Sequence, residues 1–244
     1  MLSTLHITGL TVDRSRIPEN SWLRDVPAIS SLERLDFHKP VTFFTGENGS
    51  GKSTLLEAVA IAWGFNPEGG TKNYSFSTFD SHSDLYRAIR LQKGPVRTKW
   101  GYFLRAETFY NAATKEAEYT EEDESKAKHF HLKSHGESFL AAAQDYFRPN
   151  SLNLLDEPES ALSPQRQLTM FIEICRCARA GGQFIIATHS PILTAIPGAE
   201  ILSFDGGMIH PCAYEDTGSY QITSMFIKNR DLMIRRLLEE NDLE

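Results

Sequence analysis

The chain has 244 residues and a formal net charge of −7, with 25 Lys and Arg against 32 Asp and Glu. That length buries a sizeable core and fits one large or two small domains, and the acidic balance argues against a broadly basic nucleic-acid surface, although a local basic groove in an assembled dimer would not show in a sum of charges. No apolar run approaches a membrane span, Met1-Leu2-Ser3-Thr4 begins no signal peptide, and Cys175, Cys177 and Cys212 form neither a disulfide framework nor a zinc spacing, so a cytosolic protein without membrane insertion is expected, its cysteines read as packing.

Residues 2–12 alternate as a half-buried strand, which would lie near the loop described next if it paired beside the strand at Val41. Arg14-Ser15-Arg16 follows, either a solvated turn or an arginine that stacks on a base or reaches a phosphate. Residues 22–37 read as an irregular connection. Residues 41–45 then have the aromatic and β-branched content of a buried strand, and residues 55–63 the composition of a packed helix stopped by Gly64 and Pro67. Between the two stand Gly46, Glu47, Asn48, Gly49, Ser50, Gly51, Lys52, Ser53 and Thr54, spaced as G-x-x-x-x-G-K-S. The glycines let the backbone turn its N–H groups inward, where they and the helix N-terminus hold phosphate oxygens; Lys52 neutralises the β and γ phosphates, and Ser53 is placed to ligate Mg²⁺. The pattern has its strand before it and its helix after it, as a phosphate loop requires.

Residues 69–83 are rich in Gly, Ser, Thr and Asn and read as a long loop, and residues 99–107 as another strand ending on Glu107. Residues 108–147 change character: Ala, Glu and Lys dominate, with an acidic run at 116–124 that suggests short helices and an exposed loop. No sustained heptads appear, so no long coiled-coil arm is expected. Residues 151–159 make a core strand ending in acids, 164–180 a helix closed by Gly181-Gly182, and 183–190 a buried strand with a polar tip. Residues 201–205 and 208–210 fit a hairpin around Gly206-Gly207, and residues 223–244 look helical.

Leu154-Leu155-Asp156-Glu157 puts two carboxylates at the carboxyl end of a strand, where α/β sheets place ligands. Asp156 is expected to hold Mg²⁺ directly or through water, which leaves Glu157 to orient and deprotonate an attacking water. As plain structure, the two acids would simply cap a helix that follows at Pro158.

The ordered set resembles the ABC ATPase superfamily, with residues 46–54 similar to its Walker A motif, 152–157 to Walker B, 158–162 to the D-loop, and Thr188-His189-Ser190 to the switch histidine. Lys133-Ser134-His135-Gly136-Glu137-Ser138 occupies the place of the signature; Ser134, Gly136 and Glu137 are kept, and His135 replaces the first glycine. The acidic Glu137 and the lack of an N-terminal stacking aromatic place the chain nearer the SMC and RecF-like, DNA-repair-type branch than the transporters.

The resemblance implies an α/β fold with a mostly parallel core sheet flanked by helices, an N-terminal antiparallel β part and a short helical lobe, in a single domain over residues 1–244 with the lobe at about 108–147. It implies ATP and Mg²⁺ as cofactors, Ser134, Gly136 and Glu137 as contacts to ATP on an opposite subunit, His189 as a contact to the terminal phosphate, and Glu107 at the Q-loop position touching Mg²⁺ through water. Two copies would then be joined head to tail by ATP and released by hydrolysis, a mechanical switch on a protein or nucleic-acid client. Two other readings stay open: the ATP-binding subunit of a transporter, and a non-hydrolytic sensor that uses ATP only to dimerise.

Overall fold

A computed structural model describes residues 4–71, 83–98, 100–105 and 135–240. In chain order, β1 (Ile7–Val12) leads through two 3-10 turns to α1 (Pro27–Ser30), β2 (Arg34–Asp36), β3 (Val41–Thr45), α2 (Lys52–Trp63), β4 (Gly70–Thr71), α3 (Leu85–Ala88), β5 (Ile89–Lys93) and β6 (Gly101–Arg105). The second half holds α4 (His135–Tyr146), β7 (Leu152–Asp156), α5 (Pro164–Arg179), β8 (Gln183–Ala187), α6 (Pro191–Thr194), β9 (Glu200–Ser203), β10 (His210–Pro211), α7 (Gly218–Lys228) and α8 (Arg230–Glu240).

The expected α/β class holds. Among the described residues, seven strands form the main sheet in the order β10-β9-β3-β8-β7-β6-β4; the five in the middle run parallel, and the short edge strands β10 and β4 are antiparallel. Parallel strands covered on both faces need apolar residues at every position rather than at alternate ones, and every residue of β3, β7 and β8 is buried. Successive side chains still leave on opposite faces. Phe44, Phe103, Leu154 and Ile185 join a core with α2 and the N-terminal strands, whereas Phe43, Leu104, Leu155 and Ile186 join a second core with α5. On that second face Tyr146 of α4 stacks on Tyr102 at 4.2 Å between ring centroids, and the Arg148 guanidinium lies 3.8 Å above the Trp100 ring.

Helix boundaries follow local chemistry. Gly51, at φ +100°, enters α2, and Gly64, at φ +102°, closes it with its N–H donated to the carbonyls of Ala60 and Ile61. Ser163 caps α5 by accepting the Arg166 N–H, with Pro164 at the first helical position.

Three expectations are corrected. The N-terminal strand does not pair beside the phosphate-loop strand: β1 sits between β2 and β5 in a separate three-stranded antiparallel sheet. Within the stretch read as an irregular connection, Arg34–Asp36 is a strand, too short and too polar outside Leu35 to signal itself. The C-terminal helix begins earlier, at Gly218, and is interrupted at Asn229, whose φ of −129° lies outside the helical range. The hairpin around Gly206-Gly207 is present, its pairing limited to His210 with Ser203 and Pro211 with Leu202. Arg14–Arg16 is an exposed turn, with Arg14 3.7 Å from Glu33 and Arg16 3.4 Å from Asp13, which matches the solvated reading. Cys177 is buried in the second core, as packing required.

One side chain ties the two sheets together. Gln183, at the start of β8, accepts the backbone N–H groups of His6 and Ile7 at 2.7 and 2.9 Å and donates its amide to the Ile7 carbonyl at 2.8 Å, all in buried surroundings. Gln183→Leu leaves three buried backbone groups without partners, each at a cost of about 1–3 kcal/mol. The variant is therefore expected to lose roughly 3 kcal/mol or more in urea unfolding, and an unchanged midpoint would show that the two sheets do not depend on this link.

Candidate functional site

The parallel register brings the carboxyl ends of the central strands level. Arg105 pairs with Asp156, Asp156 with Ala187, Phe44 with Ala187, and Thr45 with Ser203. Every loop that follows these strands therefore opens on one edge, where open α/β sheets bind ligands.

Gly46 and Gly51 show why the loop needs glycine. Gly46 has φ +131°, and a Cβ there would come within 2.9 Å of the Asp205 carboxylate; Gly51, at φ +100°, would drive a Cβ within 2.9 Å of both Val26 and Ile29. The loop is wedged between the β9 turn on one side and α1 on the other. Lys52, only 4% exposed, folds its ammonium back onto the loop and donates to the carbonyls of Gly46 and Glu47 at 2.7 and 2.8 Å. Burial pushes the Lys52 ammonium below the usual lysine range, against the opposing pull of the carboxylates of Glu157, Asp205, Asp156 and Glu47. One buried cation thus faces four acids, among them both acids of the Walker B segment. Ser53 follows it in the first turn of α2.

Asp156 is the last residue of β7 and 5% exposed. Glu157 adopts the left-handed conformation, φ +47° and ψ +51°, with its N–H donated to the Ala187 carbonyl at 2.9 Å and its own carbonyl accepting both the N–H and the hydroxyl of Ser160. A side chain other than glycine pays a penalty of order 1 kcal/mol there. Pro158–Ala161, the D-loop segment, is a 3-10 turn packed against α4.

His189 follows β8. Its backbone N–H donates to Glu159 Oε1 at 2.6 Å, and its Nε2 is buried with no hydrogen-bond partner among the described residues. Next to it Ser190 caps α6 and donates to Gln167 of α5 at 2.7 Å. The D-loop acid and the α5 glutamine together hold the histidine segment in place. His189 lines a cavity of about 180 Å³ with Gly46, Glu47, Asp205 and the first turn of α7.

The structure thus gathers Gly46, Glu47, Lys52, Asp156, Glu157 and His189 at one edge. Gly136 and Glu137 lie in the first turn of α4, while Ser134 and Glu107 fall outside the described residues, as does most of the 108–147 lobe. Asp205 and α7 were not anticipated. Asp205 Oδ1 accepts the Glu47 N–H at 2.8 Å and Oδ2 takes the Ser203 hydroxyl at 3.2 Å, so a residue 158 positions away shapes the mouth of the loop. In the sequence it looked like a hairpin-turn acid, and the one signal, its place just past a strand end, is shared by many surface aspartates.

A hard divalent cation fits the donors present. Among the described residues no group of three or more His, Cys, Asp or Glu makes a protein cage, so a cation here would take oxygen donors such as the Asp156 carboxylate and the Ser53 hydroxyl, with phosphates and water supplying the remaining ligands.

A family model described as an AAA domain matches residues 26–168, more than half of the chain. Among solved structures, the SMC head domain from Thermotoga maritima is 17% identical, with 86% of this chain and 100% of that chain covered at a TM-score of 0.47. An ABC transporter of metal-chelate type in an inward-facing conformation is 18% identical, covering 75% of this chain and 76% of that one at a TM-score of 0.43. No curated protein matches.

Proposed function

The chain belongs to the AAA domain family, and from that premise we propose that it binds Mg·ATP at the edge formed by Gly46, Lys52, Asp156, Glu157 and His189 and hydrolyses it to ADP and phosphate. The observation that carries this reading is the meeting of a buried lysine, in a glycine-built loop after β3, with the acids that end β7, a parallel strand one place further on across β8. The loop N–H groups and the N-terminus of α2 hold phosphate oxygens, and the Lys52 ammonium, which donates to loop carbonyls here, has only to turn to donate to the β and γ oxygens. Ser53 and Asp156 would hold Mg²⁺, which supplies neutralisation of the charge on the transferring phosphoryl group. Glu157 orients and deprotonates the attacking water, and His189 donates from its buried Nε2 to the terminal phosphate.

The same proposal extends to two copies. One chain carries the loop at one place and Gly136 and Glu137, in the first turn of α4, at another, so the helix N-terminus of one copy is suited to the γ-phosphate held by the other. The γ-phosphate is then the ligand whose contacts favour the dimer, because only differential affinity shifts an equilibrium. The switch between joined and separate copies acts on a protein or nucleic-acid client, in the cytosol.

Light scattering with ATP and Mg²⁺ tests this. The wild-type chain is expected to double in mass with ATP and not with ADP, and Ser134→Arg to stay monomeric while still binding nucleotide. A Ser134→Arg protein that dimerises normally would remove the signature segment from the interface.

A further inference from the structure

His189 is held by an acid that has no part in the chemistry assigned to this edge. Among the described residues His189 makes a single hydrogen bond, from its backbone N–H to Oε1 of Glu159, 30 positions back in the chain, at 2.6 Å. That is short for an N–H donor, as a bond to a carboxylate is. The other oxygen of the same group, Oε2, is buried and has no partner among the described residues. Of the two carboxylate oxygens, only the one on His189 is engaged.

Glu159 stands in the turn that Glu157 opens. Glu157 donates its N–H to the Ala187 carbonyl at 2.9 Å and its carbonyl accepts the Ser160 N–H and hydroxyl, so the start of the turn is fixed to the end of β8. Its far end is fixed as well: the Leu162 carbonyl accepts from Gln167 Nε2 at 3.1 Å, and Gln167 Oε1 accepts the Ser190 hydroxyl at 2.7 Å. His189 lies between the anchored points Ala187 and Ser190, and Glu159 is what ties its own backbone to the turn. A side chain whose Nε2 is to meet a phosphate depends on that tie, because a misplacement of about 1 Å at a reacting centre costs on the order of 10² in rate.

We propose that Glu159 is a positioning residue: by holding the His189 N–H it fixes the imidazole relative to Glu157, so that Nε2 meets the terminal phosphate on the side where Glu157 orients the water. The proposal rests on the reading of this edge as an ATP site with His189 on the γ-phosphate.

A Glu159 that only fastens the turn would, when lost, weaken all nucleotides alike or change stability alone. The readout that separates the two roles is the preference for a non-cleavable ATP analogue over ADP, the ratio of two dissociation constants, measured by competition against a fluorescent nucleotide with Mg²⁺ at protein concentrations that keep the chain monomeric. Cleavage plays no part in it, and the terminal phosphate is what the two ligands do not share. His189→Ala is expected to lower this preference about 10-fold, the worth of a hydrogen bond to a charged group. Glu159→Ala is expected to lower it about 3- to 10-fold with ADP affinity within about twofold of wild type, and Glu159→Gln, which keeps the one oxygen that is engaged, to recover most of the loss. His189→Ala retains the backbone N–H, and with it the bond to Glu159. In that background Glu159→Ala is therefore expected to change the preference by less than about twofold, since the side chain it positions is gone. Glu159→Ala with the wild-type preference overturns the inference, as does a Glu159→Gln protein as impaired as Glu159→Ala, or a loss of the same size when Glu159→Ala is added to His189→Ala. A His189→Ala protein with the wild-type preference, or a wild-type chain that takes up neither nucleotide, overturns the reading of the site itself, and this inference with it.

Discussion

Lys52→Ala is expected to lower the affinity for ATP by two orders of magnitude or more while leaving the protein at least as stable as the wild type. Truncating a hydrogen-bonded charge opposite a buried partner costs about 2–5 kcal/mol, which is on the order of 10² in affinity or more. The second half of the expectation comes from the surroundings of Lys52 in the loop. Burial holds its pKa below the ordinary value of 10.5, so the unfolded chain binds that proton more tightly than the folded one, and at neutral pH the charged lysine weighs against folding. Its two carbonyl partners, on Gly46 and Glu47, sit at the rim of the loop, where water can replace the donor. The melting temperature of Lys52→Ala should therefore equal or exceed that of the wild type at pH 7. The difference should shrink as pH rises through the lowered pKa toward 10.5, where the folded wild type has shed the proton that burdens it. Calorimetric titration with ATP and a melting series against pH check both halves. Unchanged affinity would contradict the assignment of the loop, and a markedly lower melting temperature would show that the ammonium holds the loop together.

Glu157→Gln is expected to reduce ATP turnover by about 10² to 10⁴, the usual contribution of a positioned general base, with little change in ATP binding. The substitution keeps the size of the side chain and its cost at φ +47°, so it removes the charge and little else. With cleavage blocked, the ATP-bound dimer is expected to accumulate and to elute as a stable species from a sizing column. A non-hydrolytic dimerisation sensor would behave otherwise, since its state with ATP should be the same with Glu or Gln at this position. Turnover that survives the substitution would move the base elsewhere.

Much of the site could be read before the fold was seen, because its parts are local. A phosphate loop is made by glycines at fixed spacings, and the positive φ values of Gly46, Gly49 and Gly51 are properties those residues carry wherever the strand and helix around them form. The buried strands were legible for a similar reason: a parallel strand covered on both faces must be apolar throughout, and residues 41–45, 152–156 and 183–187 are nearly so. The polar residues just past them, Glu157 after β7 and Thr188-His189 after β8, then stand out as exceptions that need a purpose. Where the pattern was weak the reading failed. β2 has three residues with one inward-facing leucine, and β5, Ile-Arg-Leu-Gln-Lys, follows α3 without a break and is too polar to stand out as a strand. The break at Asn229 carries no proline or glycine to announce it.

What belonged to the amino-acid order alone was the chemistry of each segment: a loop for phosphate, an acid pair ending a strand, a histidine ending another. Which segments meet was settled by strand register and packing, since pairings between residues far apart in the chain leave no local trace. Register sets Arg105 opposite Asp156 and within reach of Glu57; the β9 turn carries Asp205 under the Glu47 N–H; α7 closes the cavity that His189 lines. The N-terminal strand shows the same division. Its alternation marked it as half-buried, but only the Gln183 bridge and its pairing with β2 and β5 decided that it builds a second sheet over α2 instead of extending the first.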